Sequence, residues 1–224
     1  MNMRKKLGAI LLASALIFQC TTPVMAKETN VEMINMNQAS EIVNTLSTSQ
    51  LYYGTITAIQ KDKKQGITSI TTKSKQYGEM IFHLSKTTVW IDGKNRIASS
   101  SSNLKVGESI YLFHSPITTR SLPPQTSAFV VIRNTPQDTM CPQYVIVDTV
   151  EKQKDGRLQI TTKDGEMILL LDEQTPLTPY RTKNIVGLDD IKQGDRLLVW
   201  YSIVGISYPA KVYPEHVMLL PNMN

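Results

Sequence analysis

Two stretches of this chain carry the same punctuation. Gly78-Glu79-Met80-Ile81 returns as Gly165-Glu166-Met167-Ile168, and Ile70-Thr71-Thr72-Lys73 returns as Ile160-Thr161-Thr162-Lys163. Downstream, Val106-Gly107-Glu108-Ser109-Ile110-Tyr111-Leu112-Phe113-His114-Ser115 matches Gln193-Gly194-Asp195-Arg196-Leu197-Leu198-Val199-Trp200-Tyr201-Ser202. The spacing carries on to Val130-Val131-Ile132 against Val217-Met218-Leu219. Several anchors in one order at near-constant spacing predict an internal duplication, so one small unit has to fold twice.

Each copy reads as short strands between turn formers. In the first, strands are expected over Leu51–Gln60, Gly66–Lys73, Glu79–Leu84, Thr88–Ile91, Ser109–Ser115 and Ala128–Arg133. In the second they are expected over Tyr144–Glu151, Arg157–Thr162, Glu166–Leu171, Arg196–Ile203 and His216–Leu220. The β-branched and aromatic content of these runs argues for strands over helices. Runs such as Lys61–Gly66, Asp92-Gly93, Lys154-Asp155-Gly156 and Asp164-Gly165 supply the turns. Short helical turns are expected at Ser102–Lys105 and Leu188–Lys192.

The expected fold class is therefore mainly β: two tandem small β-barrels, OB-like, with few short helical turns. Closure into a barrel removes exposed edges, which favours it over the alternative of a small sandwich. The modules are placed at residues 51–133 and 144–224. Between them 134–143, with two prolines, a cysteine and no periodicity, reads as a linker.

The amino terminus has the pattern of a secretory leader. Met1-Asn2-Met3-Arg4-Lys5-Lys6 is cationic, Leu7 to Phe18 is apolar, and Pro23-Val24-Met25-Ala26 provides a small-residue exit. A signal peptide over 1–26, cleaved after Ala26, is expected. As a membrane anchor the apolar run falls well short of the roughly 20 residues that span hydrocarbon, and no integral membrane segment is expected after cleavage. A lipoprotein acylated on Cys20 is a further alternative, to which the bulky Gln19 is poorly suited. Residues 27–50 form a lead segment, either a short helix over Ala39–Leu46 or a disordered stretch.

Cleavage changes the electrostatics. Three of the 24 Lys and Arg, and none of the 19 Asp and Glu, fall in residues 1–26. The mature chain then carries 21 bases against 19 acids, a net charge of +2, which gives no argument for nucleic acid as a partner. Cys20 leaves with the leader, so Cys141 stands alone and the modules must be stable by packing. An inert thiol and a disulfide to a partner are the two readings of Cys141.

No catalytic or metal constellation emerges. His83, His114 and His216 are isolated in sequence, without HxH, HExxH or CxxC spacing, and no metal or cofactor is expected. Met33-Ile34-Asn35-Met36 suits soft Cu(I) in its donors, but Met is also ordinary core filler. There is no Gly-x-Ser-x-Gly and no Gly-rich phosphate loop, and Asp189-Asp190 reads as a helix start. Tyr111, Phe113, Trp200 and Tyr201 lie in apolar strands and are expected in the core, whereas Tyr52, Tyr53 and Tyr208 are the surface candidates for stacking.

The most unusual local sequence is His114-Ser115-Pro116-Ile117-Thr118-Thr119-Arg120-Ser121-Leu122-Pro123-Pro124-Gln125, joining the last two strands of the first module. The plain reading is a connection stiffened by prolines whose hydroxyls satisfy its own backbone. The functional reading makes Ser115, Thr118, Thr119, Arg120, Ser121 and Gln125 a polar ligand-binding surface. There the Arg120 guanidinium would take a carboxylate or phosphate. The second module keeps only a Ser-x-Pro of this loop, at Ser207-Tyr208-Pro209, and has no Arg there.

A strand ending in Ser-Pro, then Thr-x-Ser-x-Pro-Pro-Gln and a closing hydrophobic strand, resembles a repeat of secreted proteins of Gram-positive spore-forming bacteria. In that group it occurs alone, in tandem, or beside domains related to the amino-terminal part of copper amine oxidases. The likeness covers both modules, closely in the first and weakly in the second, where Pro-Pro-Gln is lost. It implies an architecture and a cell-envelope setting and no site residues.

The expectation is thus a secreted, extracellular or envelope-associated protein, non-catalytic, that binds a cell-wall polymer or another exported protein. The alternative is an enzyme, or an enzyme-accessory domain, with a site at the junction of the two modules.

Overall fold

The computed structural model describes residues 49–136, 139–182 and 184–221, all within one compact unit of the chain. The expected leader over 1–26, all but the last two residues of the lead segment 27–50, and the Met33–Met36 run lie outside the described residues. Among the described residues no helix is long and apolar enough to cross a membrane.

The fold is mainly β, as expected. The first half forms β1 (Gln50–Asp62), β2 (Gly66–Ser74), β3 (Gly78–His83), β4 (Val89–Asp92), β5 (Ile97–Ala98), β6 (Ser109–His114) and β7 (Gln125–Arg133). These hydrogen-bond in the order β3-β2-β1-β6-β7-β4-β5, and β3 also pairs in parallel with β7 through Ile81, Phe82 and His83 against Gln125, Thr126 and Ser127. That last pairing closes a five-stranded barrel of β1, β2, β3, β7 and β6. Its two extra strands, β4 and β5, continue the sheet outward from the far end of β7.

The second half forms β8 (Gln143–Lys152), β9 (Leu158–Thr162), β10 (Met167–Leu171), β11 (Leu177–Pro179), β12 (Arg196–Trp200), β13 (Ala210–Val212) and β14 (His216–Leu219). The order is β11-β14-β12-β8-β9-β10-β13. Local devices recur between the halves. The Ile56 N–H reaches Glu108 O at 2.9 Å and the Val147 N–H reaches Asp195 O at 2.8 Å. The Gly107 and Gly194 N–H groups return the bond to Ile56 O and Val147 O, and both glycines have φ near +90°. A register shift follows Ile56 in β1 and Val147 in β8.

The halves differ where the ring should close. In the first, one strand, β7, pairs with β3 at its start and with β6 and β4 further on. In the second that work is divided: β13 pairs with β10, β14 pairs with β12 and β11, and Tyr213-Pro214-Glu215 separates them. Proline has no N–H to give a ladder, so a continuous closing strand stops there. One closed barrel is therefore described, where two were expected.

Three cores hold the fold. Ile56, Ile70, Phe82, Ile110 and Leu112 fill the barrel of the first half, and Val147, Ile160, Leu169, Leu197 and Val199 lie inside the second sheet. The third core is shared: Ile91, Phe113 and Ile132 from the first half pack with Tyr144, Trp200 and Met218 from the second. This is why Tyr111-Leu112-Phe113 and Leu197-Leu198-Val199-Trp200 are apolar without alternation. Each strand has one face in its own core and the other in the seam, and a strand buried on both faces has no polar side. The strands on either side of the expected linker, β7 and β8, thus belong to two sheets that share a core. Cys141 there is half-buried against the seam core.

Tyr52 departs from expectation. As neighbours on β1, Tyr52 and Tyr53 must point to opposite faces. Tyr52 points inward, 1% exposed, with its hydroxyl donating to Gly78 O at 2.7 Å, while Tyr53 is 48% exposed beside Tyr111. Tyr208 is exposed as expected, and Phe113 and Trp200 are buried. Of the helical turns, Leu188–Asp190 forms one turn of 3₁₀ helix, and Ser102–Lys105 forms a turn without a helix.

Candidate functional site

The loop between β6 and β7 is built by its own hydroxyls. His114, the last residue of β6, is buried against Tyr52 and Phe82, with Nδ1–H donating to Ser115 O at 2.8 Å. Burial holds the His114 pKa below the usual imidazole value, so the ring is neutral at pH 7. Thr126 Oγ1 lies 2.9 Å from both Ser115 O and Ile117 O, tying the start of the loop to the start of β7.

At the tip the hydroxyl protons can be assigned by counting. The Gln125 N–H donates to Thr119 Oγ1 at 2.9 Å, and Ser121 Oγ donates its one proton to Pro123 O at 2.7 Å. Thr119 must then donate to Ser121 Oγ, 2.7 Å away. The relay runs Gln125, Thr119, Ser121, Pro123, and it closes the loop on itself. In the second half Ser207 Oγ likewise donates to Pro209 O at 2.9 Å, and the Leu122–Pro123 and Tyr208–Pro209 bonds are both cis.

The six expected site residues are therefore divided. Thr119 and Ser121 spend their protons inside the loop. Ser115 Oγ accepts from the Ile117 N–H at 3.1 Å and keeps its proton to donate. Gln125 meets His83 Nε2 through Oε1 at 2.9 Å. Thr118 and Arg120 are exposed and make no hydrogen bond to a described residue. Ser115, Thr118, Thr119 and Gln125 come together around a concavity of about 360 Å³. Arg120 and Ser121 are not part of its wall.

This concavity and two others adjoin through shared lining residues, and the three are taken together as a groove. The first shares His83 and Ser127 with a second of about 230 Å³, which reaches Leu84, Ser85 and Phe129. That one shares Leu84 and Ser85 with a third of about 270 Å³, which continues to Lys86, Trp90 and, from the second half, Arg181. No Asp or Glu lines any of the three. The contrast lies on the second half, where a concavity of about 370 Å³ is walled by Asp155, Asp172 and Glu173.

Sequence reasoning found the loop end of this groove and missed the rest. In the sequence His83 is an isolated histidine, and Lys86, Trp90 and Arg181 carry no motif. Their convergence comes from the parallel β3–β7 pairing and from the seam between the halves, neither of which leaves a local pattern. Among the described residues no group of three or more His, Cys, Asp or Glu is placed to hold a metal.

The fold thus defines a mainly β protein with a closed five-stranded barrel and a hydroxyl-lined groove running to the seam. Compared with known proteins, the chain matches no family model, no curated protein and no solved structure.

Proposed function

We propose that this is an exported, non-catalytic binding protein of the cell envelope, built from two copies of one module, which holds a wall polymer in the groove of its first half. One observation carries the reading: three adjoining concavities are lined by serine, threonine and glutamine set among apolar Leu84, Ile117 and Phe129, and none has a carboxylate in its wall. A row of hydroxyl and amide groups suits a polyhydroxylated or anionic chain, because hydroxyls that keep their proton, as those of Ser115 and Thr118 do, can donate to one oxygen and accept from another. Small five-stranded barrels take oligosaccharides and oligonucleotides on comparable strand-and-loop surfaces. The net charge of +2 after cleavage argues for the former class.

The rival, an enzyme at the junction of the halves, needs a base and a partner within hydrogen-bond reach. The seam end of the groove has Lys86 and Arg181 in its wall, without a carboxylate or imidazole beside them. Binding is the reading it supports.

The test is retention of the purified protein on insoluble peptidoglycan with its wall polymers attached. Thr118→Ala and Gln125→Ala, at the loop end of the groove, are expected to weaken retention severalfold, and Arg120→Ala to weaken it in a salt-dependent way. Thermal stability should be nearly unchanged for the exposed Thr118 and Arg120. Parental retention in all three variants would reduce the loop to a connection.

A further inference from the structure

At the seam, side chains from both halves meet around one small space. Its wall is made by the start of β2, the turn after β3, Trp90 on β4 and the Ser100-Ser101 stretch, all from the first half, and by Arg181 from the second. The space measures about 270 Å³, below the roughly 300–1,000 Å³ of sites that enclose drug-sized ligands. It fits one small group at the end or side of a longer molecule.

The charge of that wall is one-sided. Lys86 and Arg181 both line it, no acid does, and neither takes part in an ion pair among the described residues, where Arg96, Arg133 and Arg157 all do. Two like charges that share a concavity repel each other, and a bound anion relieves that repulsion.

Arg181 is also held in place. One of its terminal nitrogens donates to Ser99 O, and its guanidinium carbon lies 4.9 Å from the centre of the Tyr180 ring. The Tyr180 hydroxyl in turn accepts from the Trp90 N–H at 2.9 Å. The guanidinium is therefore positioned before any ligand arrives, with most of its five N–H groups uncommitted, so less freedom is lost on binding. Around it, Thr68 and Ser101 make no side-chain hydrogen bond to a described residue. Ser100 Oγ only accepts, from the Ser102 N–H at 3.3 Å, and keeps its proton to donate.

We infer that this seam space is an oxyanion subsite, taking a phosphate or carboxylate borne by the polymer in the groove, and that packing of the two halves supplies its arginine. The inference rests on the groove reading above and adds the chemistry of one end. Arg181 supplies the two-point hydrogen bond, Lys86 a point charge, and the serine and threonine hydroxyls the remaining donors. Since Arg181 comes from the second half, the first half alone would hold a neutral chain but lack the fork for its anion.

The experiment uses the full chain and three probes: inorganic phosphate, a poly(glycerol phosphate) chain, and an uncharged glycan of similar length. Binding is followed by calorimetry and by tryptophan fluorescence, since Trp90 lies in the wall. The parent should bind poly(glycerol phosphate) more tightly than phosphate, with an affinity that falls as salt rises. Arg181→Gln combined with Lys86→Gln should lose about tenfold or more for both anionic probes, while binding of the uncharged glycan stays as in the parent.

Lys86→Gln alone guards against a folding artefact, because Lys86 is exposed and makes no hydrogen bond to a described residue; it should keep the parental Tm and show a smaller loss. Unchanged anion affinity in the double variant, or no anion binding by the parent, overturns the subsite. Phosphate binding equal to that of the polymer also overturns it, in favour of a site for a free ion. The groove reading fails separately, if Thr118→Ala and Gln125→Ala leave retention of the wall polymer at the parental level.

Discussion

The hydroxyl of Tyr180, from the second half of the chain, accepts a hydrogen bond from the backbone N–H of Trp90, in the first, at 2.9 Å. Trp90 lies on β4, which pairs with β7 on one side and the short β5 on the other, and its carbonyl accepts from the Ser99 N–H at 2.7 Å. Its N–H is served by a side chain across the seam. Removing the hydroxyl in Tyr180→Phe leaves a part-buried amide without its partner, at a cost of about 1–3 kcal/mol. Urea unfolding should show the loss as a lower midpoint at unchanged slope. Because the seam core is continuous with both sheets, Trp90 and Trp200, one in each half, should report the same transition in the parent. Separate transitions would mean that the seam does not couple the halves.

Gly54 is a second point of close approach. A β-carbon there would lie 2.7 Å from Cε1 of Tyr52 and 2.9 Å from the Lys73 carbonyl oxygen. The ring is fixed by its hydroxyl on Gly78 O, and the carbonyl belongs to the β1–β2 ladder, so neither can withdraw freely. Gly54→Ala should destabilise by about 1–3 kcal/mol, as overpacked cores do. Gly187→Ala, where the nearest atom is 3.9 Å away, is the control and should be close to neutral by thermal melting.

Acid should weaken the fold through two histidines. Burial, the largest cause in each, lowers the pKa of His114 and of His216, with the Arg96 charge adding to the effect at His216. Below the ordinary imidazole value of about 6.5 the unfolded chain takes up protons that the folded chain refuses, so stability falls as pH falls. The loss begins near pH 6.5 and continues down to the depressed folded values. Unfolding midpoints measured from pH 7.5 to 5 should decline over that range, less steeply in His114→Asn. A flat profile there would contradict the burial of both rings.

Cys141 should be a slow thiol. Burial pushes its pKa up to about 12, and its Sγ lies 3.4 Å from the Pro142 carbonyl. The thiolate is the reactive form, so very little of it exists at pH 8. Reaction with a chromogenic disulfide reagent should be far slower in the native protein than in urea, and of similar rate in both if residues 134–143 were an exposed linker. This expectation favours the inert reading of the residue over a disulfide to a partner.

Much of the local structure was legible in the chain. Gly66, Gly156 and Gly165, each in an expected turn, sit at positive φ, and turn chemistry of this kind is written in one or two residues. The longer strands followed from β-branched runs between those turns. The strands that went unread, β5, β11 and β13, are two or three residues long. They exist only because a neighbouring edge is there to pair with.

What the sequence determined by itself was the class of fold, the positions of the turns and the prominence of the Ser115–Gln125 loop, because each depends on residues close together in the chain. Tertiary structure decided the rest. It turned Tyr52 inward and Tyr53 outward, and it consumed the protons of Thr119 and Ser121 within the loop. It closed one barrel through β7 and divided the corresponding strand at Pro214. It also brought Arg181 to Lys86 and Trp90 across a shared core. The last of these depends on residues some ninety positions apart meeting across two sheets. Local propensity carries no record of such a meeting, since it is set by which apolar faces remain to be buried once each sheet is complete.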